Sequence, residues 1–72
     1  MSDIVDARGL SCPQPVLDTL AALAAKGSGR IEVLVDTEAS RENVTRAAQA
    51  KGWTVESVAE EAGAYRLAIA KA

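Results

Sequence analysis

Residues 4–27 read IVDARGLSCPQPVLDTLAALAAKG, and within them the apolar pattern changes from the period of a strand to that of a helix. Residues 4–8 are typical of a short strand, and Gly9 followed by Ser-Cys-Pro indicates a turn. From Pro13 onward the apolar residues recur at helical spacing. The predicted apolar face consists of Val16, Leu20 and Leu23, flanked by Leu17, Ala21 and Ala24. A lysine followed by Gly27 predicts the end of this helix.

The rest of the chain continues the alternation of strands and helices. Residues 30–36 place Ile31, Val33 and Val35 on one side of a half-buried strand. A second helix should run to about Lys51, capped by Asp36, Thr37 or Ser40, with a slim buried stripe of Val44, Ala47 and Ala48. Residues 53–60 and 65–71 predict two strands joined by a hairpin at 61–63.

The predicted order is β-α-β-α-β-β, which favours an α+β fold in one domain over residues 1–72. Because each helix has one apolar face, we expect both helices on the same face of a four-stranded mixed sheet, a two-layer sandwich. The β-α-β units predict parallel pairing, and the last two strands predict antiparallel pairing. The open face of the sheet should carry a mixture of polar and apolar residues, Leu34, Thr54, Glu56 and Val58.

Composition excludes several classes of function. The 72 residues carry a net charge of -2 with no basic stripe, so nucleic acid is not an expected ligand. No apolar run is long enough to cross a membrane, and the acidic N-terminus is unlike a secretory signal, which favours the cytoplasm. Because the sequence has one cysteine and no histidine, we expect no internal disulfide, no metal cluster built on cysteine or histidine, and no imidazole catalysis.

The single cysteine, Cys12, falls at the junction between the first strand and the first helix. Pro13 suits the first position of a helix, and Pro15 lies in its first turn. Cys12 is therefore expected at the N-cap, where the helix dipole stabilises a thiolate and lowers the thiol pKa below its ordinary value of about 8.5. Gln14 supplies the nearest backbone donor, and Arg8 could add positive charge. Such a thiolate is suited to attack a sulfane sulfur and form a persulfide.

Less specific interpretations compete with this one. Cys12 could be a buried structural residue, since cysteine is commonly buried. Asp36, Glu38 and Glu42 could form a carboxylate cluster, but helix capping and the dipole account for all three. Further along the chain, Arg41 and Arg46 are expected as solubilising residues, Trp53 as a core anchor, and Glu60 and Glu61 as solvated residues beside the hairpin.

Residues 6–15, DARGLSCPQP, resemble the signature of the TusA-like sulfur carrier family. In that family a strand and an Arg-Gly-Leu step precede Cys-Pro-x-Pro at the start of the first helix, and the resemblance extends over the whole chain. The stretch VDTEA at 35–39, with ENV at 42–44 and Gly52-Trp53, is most similar to the TusA-like portion of YedF-type proteins. Such proteins usually continue into a second domain, so the chain is either a stand-alone carrier or a fragment.

The resemblance implies that Cys12 carries the persulfide, with support from the residues around it, Arg8, Gly9, Pro13, Gln14 and Pro15. It implies a cysteine desulfurase or rhodanese-like sulfur donor and an acceptor cysteine on a partner protein, with no cofactor or metal. A well-known subgroup has Glu where this chain has Gln14, a difference that bears on partner choice. Two alternatives are a non-catalytic interaction module, in which Cys12 is only a cap, and a selenium relay through the same cysteine.

Overall fold

The computed structural model of the protein describes residues 3–10 and 14–71, and these form the predicted succession of elements. The elements are β1 (Asp3–Asp6), α1 (Gln14–Lys26), β2 (Gly29–Val35), α2 (Glu38–Ala50), β3 (Thr54–Glu61) and β4 (Ala64–Lys71). The α+β prediction is confirmed. The first strand is shorter than expected, because the chain enters a turn after Asp6.

The four strands form one mixed sheet in the order β1-β2-β4-β3. β1 and β2 are parallel, and β4 is antiparallel to both of its neighbours. The parallel pairing predicted for the first β-α-β unit is confirmed, but the pairing predicted for the second is wrong, because β4 lies between β2 and β3. The apolar content of the hairpin explains this order. β4 buries Leu67, Ala68 and Ile69, whereas every residue of β3 except Val55 is exposed.

Both helices cover one face of the sheet and enclose the core. The core residues expose less than a twentieth of their surface and include Ile31, Val33, Val35, Leu67 and Ile69 from the strands, Leu23, Val44 and Ala48 from the helices, and Trp53. Each buried Val, Leu or Ile side chain among them contributes about 1.5–3 kcal/mol. The predicted half-buried strand and the anchoring role of Trp53 are thereby confirmed. Of the stripe predicted for α2, Val44 and Ala48 are buried but Ala47 is only half-buried, and Ser40 is buried in addition. Neither helix in residues 3–10 and 14–71 has the length and apolar character needed to cross a bilayer.

The buried face of α1 is rotated from the predicted one. Pro15, Thr19 and Leu23 are buried, while Leu20 is half-buried. Leu17, expected at the flank of the buried face, exposes 53% of its surface. Thr19 can be buried because its hydroxyl donates a 2.8 Å hydrogen bond to the carbonyl of Pro15. With this bond the side chain leaves no unsatisfied donor in the core.

A β-bulge in β3 changes which side chains face the helices. The register shifts between Val55 and Ser57, and Val58 then pairs with the buried Leu67. Paired residues project from the same face, so Val58 lies on the helix side of the sheet, and its predicted place on the open face is wrong. It is nevertheless 43% exposed, because β3 is an edge strand with no neighbour on its outer side, and every residue of it except Val55 is exposed.

Candidate functional site

The chain leaves β1 through a tight turn over residues 7–10, just before Cys12. Ala7 is fully buried, and its N–H donates to the carbonyl of Leu34 at 2.8 Å, which continues the pairing of β1 with β2. Leu10 N–H donates back to the carbonyl of Ala7 at 3.4 Å. Gly9 is the third residue of this turn and has a φ of 79°, the left-handed value that a type II turn requires there. A glycine at this position is therefore structural.

Arg8 is held by the carboxylate of Asp6 on the same turn. Its Nε and Nη2 donate to the two oxygens of Asp6 at 2.9 Å each, and its backbone N–H donates at 3.2 Å. The hydrogen bond from the Arg8 side chain is the main reason that the pKa of Asp6 falls from 3.8 to about 2, and the same contact raises the pKa of Arg8. The expected role of Arg8 beside Cys12 stays a prediction, and in the described contacts its charge is matched by Asp6.

Asp36, the residue that follows β2, links this turn to the carboxyl end of β2. Its Oδ2 accepts a hydrogen bond from the N–H of Gly9 at 2.8 Å, across 27 positions of sequence. The N-cap of α2 is Thr37, whose hydroxyl accepts from the N–H of Ser40 at 3.0 Å. Among the three caps considered from the sequence, Thr37 is correct. Asp36 has a role that sequence reasoning missed, because only the parallel pairing of β1 and β2 brings their carboxyl ends together.

The other side of the candidate site is the start of α1. Gln14 is exposed and its side-chain amide donates to Asp18 one turn later, at 2.6 Å. Pro15 is buried and anchors the first turn against the sheet. Cys12 and Pro13 lie outside the described residues. The structure thus describes four of the six predicted site residues, Arg8, Gly9, Gln14 and Pro15, which lie in the two segments that flank Cys12 in the sequence.

The charged residues in the first turns of α2 are engaged in local contacts. Arg41 lies 3.5 Å from Glu38 and 3.9 Å from Glu42, and its guanidinium stands 5.4 Å from the ring centre of Tyr65. Across residues 3–10 and 14–71, no three acidic side chains approach closely enough to hold a metal ion. The carboxylates at the start of α2 are therefore explained by the helix start and by Arg41.

A recess of about 180 Å³ adjoins the turn on the open side of the sheet. It is bordered by Arg8, Leu34, Tyr65 and Arg66, together with the β3–β4 hairpin. Arg66 makes no ion pair with any described residue. This recess was not predicted from the sequence, because its walls come from three separate strands.

Comparison with known proteins agrees with the fold and identifies the family of the chain. The family model described as Sulfurtransferase TusA matches residues 3–71. A "Putative sulfur carrier protein" of Methanocaldococcus jannaschii is 37% identical over 68 residues, covering 93% of this chain and 91% of the relative. The crystal structure of a SirA-like protein from Desulfitobacterium hafniense superposes with a TM-score of 0.86 at 35% identity, covering 97% of this chain and 96% of that one. The chain belongs to the sulfurtransferase TusA family.

Proposed function

We propose that the protein accepts a sulfur atom on Cys12 as a persulfide and relays it to an acceptor thiol. The observation that carries the proposal is the family match, which spans the turn before Cys12 and the helix after it. The chain has one cysteine and no histidine, so sulfur chemistry in this protein must use Cys12 without a general base of the imidazole type.

The transfer needs only thiol chemistry. The Cys12 thiolate attacks the outer sulfur of a donor persulfide, a bond forms between the two sulfur atoms, and the donor thiolate leaves with the electron pair of the broken S–S bond. An acceptor thiolate then attacks the outer sulfur carried by Cys12, and the Cys12 thiolate leaves. Both steps are exchanges at sulfur, so they consume no oxidant, metal or organic cofactor.

The segments flanking Cys12 support this role in two ways. The turn at residues 7–10 is fixed by Asp6 and Asp36, so the chain enters the reactive segment from a defined position. Leu10 and Leu17 expose 36% and 53% of their surfaces on either side of that segment in the sequence. Exposed leucines of this kind suit brief docking to a donor and then to an acceptor. A cysteine desulfurase or a rhodanese-like protein is the class of donor that we expect.

The test is intact-mass measurement after incubation with a cysteine desulfurase and cysteine, or with thiosulfate and a rhodanese. We expect a gain of one sulfur, about 32 Da, that reductant reverses and that is absent in Cys12→Ala and Cys12→Ser. If the folded wild-type protein with a free thiol gains no sulfur from either donor, the carrier proposal is wrong. Partner binding that survives in Cys12→Ser would then favour the interaction-module alternative.

Docking is tested separately, with Leu17→Ser and the matched control Val58→Ser. Leu17 and Val58 are both about half exposed, but Leu17 lies on α1 and Val58 lies on the edge strand β3. We expect slower sulfur loading from the donor protein only for Leu17→Ser, with loading by a small inorganic polysulfide unchanged in both. Equal loading rates from the donor protein in the two variants would contradict docking through Leu17.

A further inference from the structure

A second recess lies where both helices end, at the other end of α1 from Gln14. It encloses about 280 Å³ and is lined by residues of α1 and by the chain around Trp53. Its floor is apolar: Leu23 and Trp53 belong to the core, and Leu20 is half-buried. A volume of this size is near the lower limit of small-molecule sites. Leu20 is the lining residue of α1 nearest to Gln14, and about 9 Å of helix separates the two.

Two lysines lie at the rim of this recess. Lys51 and Lys71 both line it. Lys71 reaches over the glycine that follows Lys51: a Cβ placed on Gly52 would lie 3.9 Å from its Cε and 4.0 Å from its Nζ. Neither lysine makes an ion pair or hydrogen bond through its side chain with residues 3–10 or 14–71. A recess lined by charges of one sign, with no acidic partner among residues 3–10 and 14–71, raises the local concentration of anions.

The helix dipole explains only part of this arrangement. A basic residue at the end of a helix, such as Lys51 after α2, complements the partial negative charge there. Lys71 ends a strand, so the helix dipole does not explain why it lines the same recess as Lys51. The protein as a whole carries a net charge of -2, so two lysines that lack an acidic partner among the described residues and lie beside an apolar floor are a distinct feature of this end.

The geometry points to a binding site for a small amphipathic anion, with an apolar body on Leu20, Leu23 and Trp53 and a carboxylate or sulfonate head between Lys51 and Lys71. This site is separate from the proposed sulfur chemistry, since none of the segments that flank Cys12 lines it. The apolar floor supplies most of the affinity by burying hydrocarbon, and the lysines select for charge.

The test uses octanoate as the probe, and Trp53, the only tryptophan, reports its binding. We expect saturable changes in Trp53 emission and in its single indole N–H resonance, with a Kd below about 1 mM. Octanol has the apolar body without the charge and acetate has the head without the body, so both should bind at least fivefold more weakly. Equal affinity for octanol and octanoate would overturn the charged site.

Variants locate the site. Lys51→Gln and Lys71→Gln should each weaken octanoate binding about fivefold, the effect of losing one exposed ion pair. Arg46→Gln removes the same charge from an exposed position of α2 that does not line the recess, and it should bind octanoate as the wild type does. Ala24→Met fills the recess from α1 while keeping a good helix former, and it should abolish binding. Wild-type affinity in Ala24→Met, or equal loss in Arg46→Gln and Lys51→Gln, would refute the proposal.

Discussion

Replacing Asp36 by Ala tests how the turn before Cys12 is held. In the folded protein Asp36 Oδ2 accepts the N–H of Gly9 at 2.8 Å, and this contact joins the end of β2 to the turn that follows β1. Hydrogen bonds to charged groups contribute about 1.5–3 kcal/mol. Both residues are exposed, so water can replace part of the lost contact, and we expect a loss of about 1 kcal/mol in the free energy of unfolding.

Urea unfolding followed by Trp53 emission measures this loss. For a domain of this size a change of about 1 kcal/mol shifts the midpoint by roughly 1 M, since the m-value is near 1 kcal/mol/M. Asp36 also stands near the start of α2, where any negative charge is favourable. Glu38→Ala controls for that effect, because Glu38 lies in the first turn of α2 and its side chain pairs with Arg41 at 3.5 Å.

A second measurement separates the hydrogen bond from the charge. Amide hydrogen exchange of Gly9 should accelerate in Asp36→Ala and remain slow in Asp36→Asn, which keeps an acceptor oxygen at this position. If Asp36→Ala and Glu38→Ala unfold at the same urea concentration and Gly9 exchanges at the wild-type rate in both, Asp36 does not hold the turn and the reasoning is refuted.

Three other predictions follow from single contacts. Ala62 occupies the hairpin turn with a φ of 51° next to Gly63, so Ala62→Asn should raise the free energy of unfolding by about 0.5–1 kcal/mol in urea titrations, and an unchanged midpoint would contradict this. NMR titration should give Asp6 a pKa of about 2 that returns towards 3.8 in Arg8→Gln. Because the pKa of Asp6 is lower in the folded protein than in the unfolded one, the contribution of Asp6 to stability is present above about pH 4 and is lost as the pH falls towards 2. Thr19→Val should change the free energy of unfolding by less than about 1 kcal/mol, because valine keeps the side-chain volume, whereas Thr19→Ala leaves a void and should cost about 1–2 kcal/mol. A larger loss in the valine variant than in the alanine variant would show that the hydrogen bond to the carbonyl of Pro15 matters more than packing.

The features that the sequence predicted correctly are those set by local periodicity. Ile31, Val33 and Val35 alternate along one strand, so their common burial follows from the pleat alone. The start of α2 also depends on near neighbours. The Thr37 hydroxyl caps the helix by accepting a hydrogen bond from the N–H of Ser40, three residues later. Trp53 was predictable as an anchor because the chain has little other aromatic bulk to fill a core.

The features that the sequence did not predict depend on contacts between distant residues. The bulge after Val55 adds a residue to β3, and strict alternation then assigns Val58 to the wrong face. The buried face of α1 was misplaced because Thr19 is polar and Leu17 is apolar, whereas the hydrogen bond to Pro15 allows the threonine to be buried and the leucine to remain exposed. No local pattern contains the contact between Asp36 and Gly9.

Strand order, which local patterns did not determine, decides what borders the turn before Cys12. In the expected arrangement β3 would pair with β2 and place its acidic end, Glu60 and Glu61, beside the end of β2. In the structure β4 takes that position, and Leu34 and Val35 pair with Arg66 and Tyr65 instead. The recess beside Arg8 is therefore lined by Arg66, which has no acidic partner among the described residues, and by Glu61 at the hairpin end of β3. Strand order thus brings Arg66 of β4 and the β3–β4 hairpin, and not the length of β3, to the side of the turn before Cys12.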